Sequence, residues 1–162
     1  MRKIKKKLKK PRAPWDKERM KKENVLMMTY GLRRKREFWK AESILRSFRR
    51  RARDLAAKRD KVQERVLLEK LNKMGLLRED ASLDDVLSLT VENILERRLQ
   101  MQVFRKNLAN TPKHARQVIT HGHIAVGGRR TIYPSFMVPL NLEDKISFYE
   151  GSEIKTKTKG TS

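Results

Sequence analysis

All three histidines of the chain lie in one stretch, NTPKHARQVITHGHIAVGGRR, at residues 110–130. Imidazole can ligate a metal ion or act as a general base, and it can also stack on a nucleobase or donate to a phosphate. A metal site needs several converging ligands, often thiolates or carboxylates. The chain has no cysteine, and the stretch has no Asp or Glu. Gly122 reverses the chain between His121 and His123, so their rings need not point in the same direction. We expect no metal here.

A catalytic role for these histidines is equally weak. General acid–base catalysis requires a partner that orients the imidazole and tunes its pKa, whereas the charged neighbours here are arginine and lysine. We therefore expect no catalytic residue, no enzyme activity and no cofactor. For His121 and His123, contact with RNA is favoured over an interpretation as ordinary surface residues of a turn. For His114 the two interpretations are equally favoured.

The overall charge indicates a polyanionic partner. The 162 residues include 41 Lys and Arg against 19 Asp and Glu, a net charge of +22. In a compact free protein these positive side chains would repel one another. Nucleic acid and an anionic membrane surface are the candidates. No apolar run approaches the roughly 18 residues of a membrane span, and the basic segments lack a broad aromatic anchoring face. The lysine-rich N-terminus has no apolar signal-peptide region, so we expect a cytoplasmic protein.

The charge is concentrated in the first part of the chain. Residues 1–60 hold 24 basic and seven acidic side chains, whereas residues 61–162 hold 17 and 12. The first part is suited to phosphates, and the second could fold by itself. Residues 1–14 have almost nothing to bury, so we expect a basic arm that is disordered without RNA and ordered on its partner. Residues 150–162 form a polar tail.

Helical patterns follow the arm. Residues 32–74 contain neither Gly nor Pro, and apolar residues recur at helical spacing from Ala41 to Ala56. The opposite face is nearly all arginine, with Arg46, Arg49, Arg50, Arg51 and Arg53. Weak apolar character at residues 58–61 predicts a break, and a second helix should then end before Gly75 in the left-handed conformation.

Capping residues mark further helices. Ser82 with Asp85 resembles a capping box before a short helix ending near Leu89. Thr90 should cap one helix that continues to about Asn107. The exposed surface of that helix would carry Arg97, Arg98, Arg105 and Lys106.

A short helix and a hairpin should position the histidines. Thr111 is a good N-cap and Pro112 suits the first helical position. This helix should bury Ala115, Val118 and Ile119 and present Lys113, Arg116 and Gln117 on its exposed face. Gly122 ends it. A strand at residues 124–126 would then turn at Gly127-Gly128 into a return strand at residues 131–133, with another strand at residues 145–149.

This order of elements resembles the αL-type RNA-binding module known as the S4 domain. The matching features within residues 95–148 are LERRL at 95–99, Arg105, Thr111, AR at 115–116, HGHIAVGGR at 121–129, Pro134-Ser135 and Asp144. The module implies an α+β fold. We expect a basic helical N-terminal region followed by two helices packed on a short antiparallel sheet. The divisions would be 1–14 for the arm, 15–94 for the helical region, 95–149 for the module and 150–162 for the tail.

The resemblance extends to residues 15–149. YGLRRKREFWKAESILRSFRRRAR at 30–53 and SLDDVLSLTVENILERRLQ at 82–100 resemble the ribosomal S4 family of the small subunit, in its archaeal/eukaryotic form. Membership implies binding of small-subunit rRNA at a multi-helix junction early in assembly. It also implies neighbouring ribosomal proteins, a place near the path by which mRNA enters, an influence on decoding accuracy, and no homo-oligomer. Many bacterial members carry a cysteine zinc module, which this chain cannot form. It lacks the long C-terminal extension common in eukaryotic members, so we expect an archaeal source.

The resemblance and the arginine pattern together assign the RNA-binding residues. Those of the module are Arg97, Arg98, Arg105, Lys113, Arg116, Gln117, His121, His123, Arg129 and Arg130. Those expected to bind a neighbouring rRNA helix are Arg33, Arg34, Lys35, Arg36, Arg49, Arg50, Arg51 and Arg53. Tyr133 could equally stack on a base or pack in the core. Trp15 and Trp39 are interpreted as packing residues.

Two other classes of protein remain open as alternatives. An RNA-modifying enzyme, such as a pseudouridine synthase, can carry the same module beside a large catalytic domain with an aspartate in a pocket. The remaining basic helical region is too short for such a domain. A DNA- or chromatin-binding protein would bind duplex DNA as tightly as folded rRNA.

Overall fold

The computed structural model describes residues 8–152, which form eight helices and one three-stranded sheet. This is the predicted α+β class. The helices are α1 Lys17–Thr29, α2 Lys35–Lys58, α3 Lys61–Lys73, α4 Leu83–Ser88, α5 Val91–Glu96, α6 Leu99–Arg105, α7 Pro112–Thr120 and α8 Leu140–Glu143. The strands are β1 Ile124–Val126, β2 Arg129–Arg130 and β3 Ile146–Phe148. Residues 1–7 of the predicted arm and 153–162 of the predicted tail lie outside the described residues.

Local signals set most of the helix ends as predicted. α2 ends at Lys58, Arg59 adopts a left-handed φ of 54°, and Asp60 caps α3 by accepting from Val62 N and Gln63 N. Gly75 follows α3 with a φ of 68°. Ser82–Asp85 forms the predicted capping box, and Thr90 caps α5.

Two apolar clusters lie side by side. The first joins the N-terminal helices around the fully buried Leu71, Val86 and Leu95. The second joins α6 and α7 to the sheet around buried residues such as Ile119 and Ile124. Phe104 of α6 packs against both clusters, so α6 connects the helical region to the module.

The single helix predicted from Thr90 to about Asn107 is wrong, because the chain breaks between α5 and α6. Leu99 N donates to Phe136 O at 2.7 Å, and Val138 N donates to Arg97 O at 2.9 Å. These backbone groups would bond within a continuous helix. Here they instead hold the segment at residues 134–138, and Arg98 pairs with Met137 in an isolated antiparallel bridge.

The sheet is antiparallel with the order β2-β1-β3. Gly127 and Gly128, with φ values of 58° and 77°, form the predicted tight turn. The two-residue loop pairs Val126 directly with Arg129. The return strand therefore lies at Arg129–Arg130, and its prediction at residues 131–133 is wrong. The strand predicted at 145–149 is confirmed as β3.

Among residues 8–152, no helix has both the length and the apolar character needed to cross a bilayer.

Gly122 ends α7 with a φ of 80°, and a Cβ there would lie 2.2 Å from Arg130 Nε. We expect Gly122→Val to lower the free energy of unfolding by about 1–2 kcal/mol, because a branched residue is strained in the left-handed region. Urea denaturation followed by circular dichroism measures the change. Gly151→Val is the control, since Gly151 has no positive φ. Equal midpoints for Gly122→Val and wild type would contradict the expectation.

Candidate nucleic-acid interface

Helix α7 carries a row of exposed polar side chains. Thr111 Oγ1 accepts from His114 N at 3.1 Å and Pro112 takes the first helical position, as predicted. Ala115, Val118 and Ile119 are buried, also as predicted. Lys113, Gln117 and His121 are exposed, and their spacing of four residues aligns them on one side of the helix.

Arg116 does not lie on the exposed face, so that prediction is wrong. It turns towards Glu37 of α2, with Nη2 2.9 Å from Oε1 and Nη1 3.1 Å from Oε2. Two parallel hydrogen bonds of this kind hold the guanidinium in one orientation and place its charge against the carboxylate. The Arg116 side chain is only 24% exposed.

The prediction that Arg97 and Arg98 lie on an exposed RNA face is also wrong. Both occupy the break between α5 and α6, where their side chains turn inwards. Arg97 donates to Glu143 at 2.7 Å and to Val138 O at 2.8 Å. Arg98 donates to Glu37 Oε2 at 2.6 Å, and its side chain is 7% exposed. These two arginines hold the fold together from inside.

The buried side-chain amide of Gln100 also connects the turn before α2 to the start of α7. Gln100 Nε2 lies 3.1 Å from Tyr30 O, 2.9 Å from Gly31 O and 2.9 Å from Pro112 O. Its two hydrogens are therefore shared among three carbonyls, from the turn before α2 and from the start of α7. We call Glu37, Arg98, Gln100 and Arg116 the Glu37 network.

The Glu37 network keeps its carboxylate ionised. Burial by itself would raise the pKa of Glu37. Hydrogen bonds from Arg116 and Arg98, and the positive charge of both groups, outweigh burial and hold that pKa below its ordinary value of 4.5. Glu37 therefore balances part of the charge of two arginines, Arg98 at the start of α6 and Arg116 on α7.

The cations assigned on α2 and directly before it divide into three kinds. Arg33, Arg34, Arg36, Arg51 and Arg53 are exposed and form no ion pair with another described residue. Lys35 lies 3.7 Å from Glu23, and Arg50 lies 3.7 Å from Asp54.

Arg49 is half-buried and donates to Leu89 O at 2.5 Å, so it ties α2 to the α4–α5 connection. Its place on an open phosphate-binding face is not supported.

The helical region and the module meet at an open groove of about 550 Å³. Its lining includes five of the predicted residues, namely Arg33, Arg34, Arg36, Arg98 and Arg116. Sequence reasoning missed Lys40, which also lines the groove. Its position one helical turn after Arg36 was the available signal.

The rings of the two histidines that flank Gly122 lie roughly parallel, whereas the sequence left their relative direction open. Their ring centroids are 6.3 Å apart with an interplanar angle of 23°. His123 Nδ1 lies 3.0 Å from Ser152 Oγ, whereas His121 is exposed. Nowhere in residues 8–152 do three or more possible metal ligands cluster. His114 Nδ1 accepts from Asn110 N at 3.4 Å, a local contact.

The remaining assigned cations surround this turn or lie on α6. Arg130 donates to Gly122 O at 3.0 Å and to His121 O at 3.1 Å, and Arg129 is exposed. Arg105 pairs with Glu96 at 2.9 Å but stays about half exposed.

The aromatic residues depart in part from expectation. Tyr133 is 66% exposed, which excludes core packing and leaves base stacking as a prediction. Trp15 is 83% exposed, so its interpretation as a packing residue is wrong. Trp39 is half-buried and donates to Glu23 at 3.2 Å, consistent with packing.

Comparison with known proteins gives two family matches. The family described as "Ribosomal protein S4/S9 N-terminal domain" matches residues 2–96, and the family described as "S4 domain" matches residues 97–144. Similar relatives carry the name "Small ribosomal subunit protein uS4". The one from Thermoplasma acidophilum is 51% identical over 89% of this chain and 75% of its own length. The one from Methanococcus aeolicus is 52% identical over 91% and 86%, respectively.

We expect Glu37→Gln to lower the free energy of unfolding by about 1–3 kcal/mol, because it weakens the hydrogen bonds to the buried Arg98 and removes its countercharge. Chemical denaturation measures the loss. Glu42→Gln is the matched control, since Glu42 is on the same helix and pairs with the exposed Arg46. Equal stability of the two variants would show that the network contributes little.

The stability of wild type and of Glu37→Gln should also respond differently to pH. A carboxyl whose pKa is lower in the folded state stabilises the fold fully above its unfolded pKa, and this stabilisation is lost as pH falls through the folded value. The gap in unfolding free energy between wild type and Glu37→Gln should therefore be constant above about pH 5 and shrink below the ordinary value of 4.5. Denaturation curves from pH 7 to pH 3 test this. A gap that widens in acid would contradict the lowered pKa.

Proposed function

Because the chain belongs to the ribosomal S4 family, we propose that it is a structural constituent of the small ribosomal subunit that binds small-subunit rRNA and catalyses no reaction. The observation that carries the proposal is the convergence of exposed cations at the groove between α2 and the module. The relatives reported above bear a small-subunit name, and the S4 match covers residues 97–144 of the module.

The mode of binding follows from how the cations are held. Exposed Arg33, Arg34 and Arg36 precede or begin α2, and exposed Lys113 lies near the start of α7. The Glu37 network joins these two elements through Arg116. Phosphates spaced to match this arrangement can be neutralised together. Folded RNA, with its irregular junctions, presents phosphates by shape in this way.

The finer features of the proposal rest on the family resemblance. We infer binding at a multi-helix junction early in assembly, contacts with neighbouring ribosomal proteins, and a position near the path by which mRNA enters. An influence on decoding accuracy and a cytoplasmic location in the subunit belong to the same inference. Chemical footprinting of archaeal small-subunit rRNA with and without the protein tests the first of these.

Salt should weaken the complex steeply. If about eight phosphates are neutralised, affinity for archaeal small-subunit rRNA should fall by roughly three to five powers of ten between 50 and 200 mM salt. Filter binding or fluorescence anisotropy measures this, with duplex DNA of equal charge as the comparison. Equal affinity for the two polymers would favour a general nucleic-acid binder over a ribosomal protein.

Single exposed cations should each contribute a measurable share. We expect Arg34→Ala and Lys113→Ala each to reduce the slope of log affinity against log salt by about one, without changing the melting midpoint. Arg65→Ala on α3 is the control, because Arg65 is exposed but outside the assigned set. Unchanged slopes for both test variants would remove these residues from the interface.

Arg116→Ala should behave differently from those variants. Arg116 is ion-paired with Glu37, so its loss should lower both the melting midpoint and the affinity for RNA. Thermal denaturation and the same binding titration measure the two effects. Weaker binding with an unchanged midpoint would mean that the ion pair does not support the fold.

A further inference from the structure

The groove between α2 and the module has an apolar interior as well as a charged edge. Its floor includes Ala41 and Ile94, which are buried, and Ile44 and Met137, which are half-buried. Phosphates would gain nothing from this apolar surface. The flat face of a nucleobase would gain free energy by covering the apolar surface that Ile44 and Met137 leave exposed.

We propose that the groove holds one unstacked nucleotide of the RNA, with its base on this apolar floor and its flanking phosphates at the cationic rim. The inference rests on the proposed function and adds to it a site for a single base. The groove volume of about 550 Å³ lies within the roughly 300–1,000 Å³ typical of pockets for small organic ligands.

The charge of the lining favours an anionic occupant. Arg33, Arg34, Arg36 and Lys40 line the groove, are exposed and form no ion pair within residues 8–152. Glu37 is the single carboxylate in the groove lining formed by the described residues, and two arginines already engage it. Leu8 itself lines the groove. Residues 1–7 before it include five cations, so like charge disfavours that segment as the occupant of the remaining space.

Arg98 lines the groove with a side chain only 7% exposed, and Glu37 already engages it. One hydroxyl of the lining is left for a base or a ribose. The Ser135 hydroxyl, also in the lining, makes no hydrogen bond within the described part of the chain. Nucleobase edges and the 2′-hydroxyl carry the acceptors and donors that such groups need.

The absence of cysteine from the chain allows the groove to be probed at one point. The Ser135→Cys variant would carry tethered iron–EDTA, and the full-length protein would be bound to archaeal small-subunit rRNA. Hydroxyl radicals should cleave a short run of riboses next to the groove. Ser88→Cys, at an exposed position on α4 away from the groove lining, is the control and should give a different pattern.

Abasic substitution within that run then tests for a bound base. With wild-type protein, removing one particular base should weaken binding by about tenfold, the loss expected when one apolar contact surface is given up. Removing the bases on either side should have little effect. This measurement requires no change to the protein, so folding of a variant does not limit it.

A double-mutant cycle connects that base to the floor. Met137→Ala should shrink the penalty of the abasic nucleotide, whereas Lys40→Ala should lower affinity but leave the penalty unchanged. If rRNA binds but no nucleotide in the cleaved run shows an abasic penalty, the groove site is overturned while the proposed function stands. If the Ser135→Cys variant forms a stable complex with the rRNA but gives no cleavage, the groove site is likewise overturned while the proposed function stands. If no rRNA binds, the proposed function itself fails.

Discussion

The structure depends on one carboxylate shared by arginines from two places in the chain. Glu37 lies in the first turns of α2 and accepts hydrogen bonds from Arg98, at the α5–α6 break, and from Arg116, on α7. A chain with a net charge of +22 has few carboxylates to place between its cations. A carboxylate at the junction of the helical region and the module relieves repulsion where the two must touch, and it fixes their relative position.

That arrangement separates the cations by role. Arg97, Arg98 and Arg116 are engaged by carboxylates and hold backbone segments together, whereas residues such as Arg34 and Lys113 remain exposed. The first kind makes the surface rigid, and in the proposed function the second kind supplies its affinity for phosphate. A rigid surface loses less conformational entropy when it binds a structured partner. Positive charge thus serves both architecture and recognition in the same few turns of helix.

Sequence reasoning succeeded where a signal and its effect are close together. The caps at Asp85 and Thr111 and the turn at Gly127–Gly128 involve groups within four residues of one another. It failed where distant segments decide. The α5–α6 break depends on residues 134–138, and Arg116 meets its carboxylate across 79 positions. The helical region expected at residues 15–94 gave no bounds for helix α1, whose exposed Val25 and Met28 leave no clear one-sided apolar stripe.

The 79 positions between Glu37 and Arg116 have a consequence for synthesis of the chain. At roughly 5–20 residues per second, Glu37 leaves the translating machinery several seconds before its second guanidinium has been made. The buried residues of the N-terminal apolar cluster precede α7, whereas the half-buried Met137, which packs against them, follows it. Most of that cluster has therefore been made before Arg116. A nascent chain therefore displays the basic start of α2 before Arg116 is present to pair with Glu37, and polyanions reach those cations while Glu37 still lacks that partner.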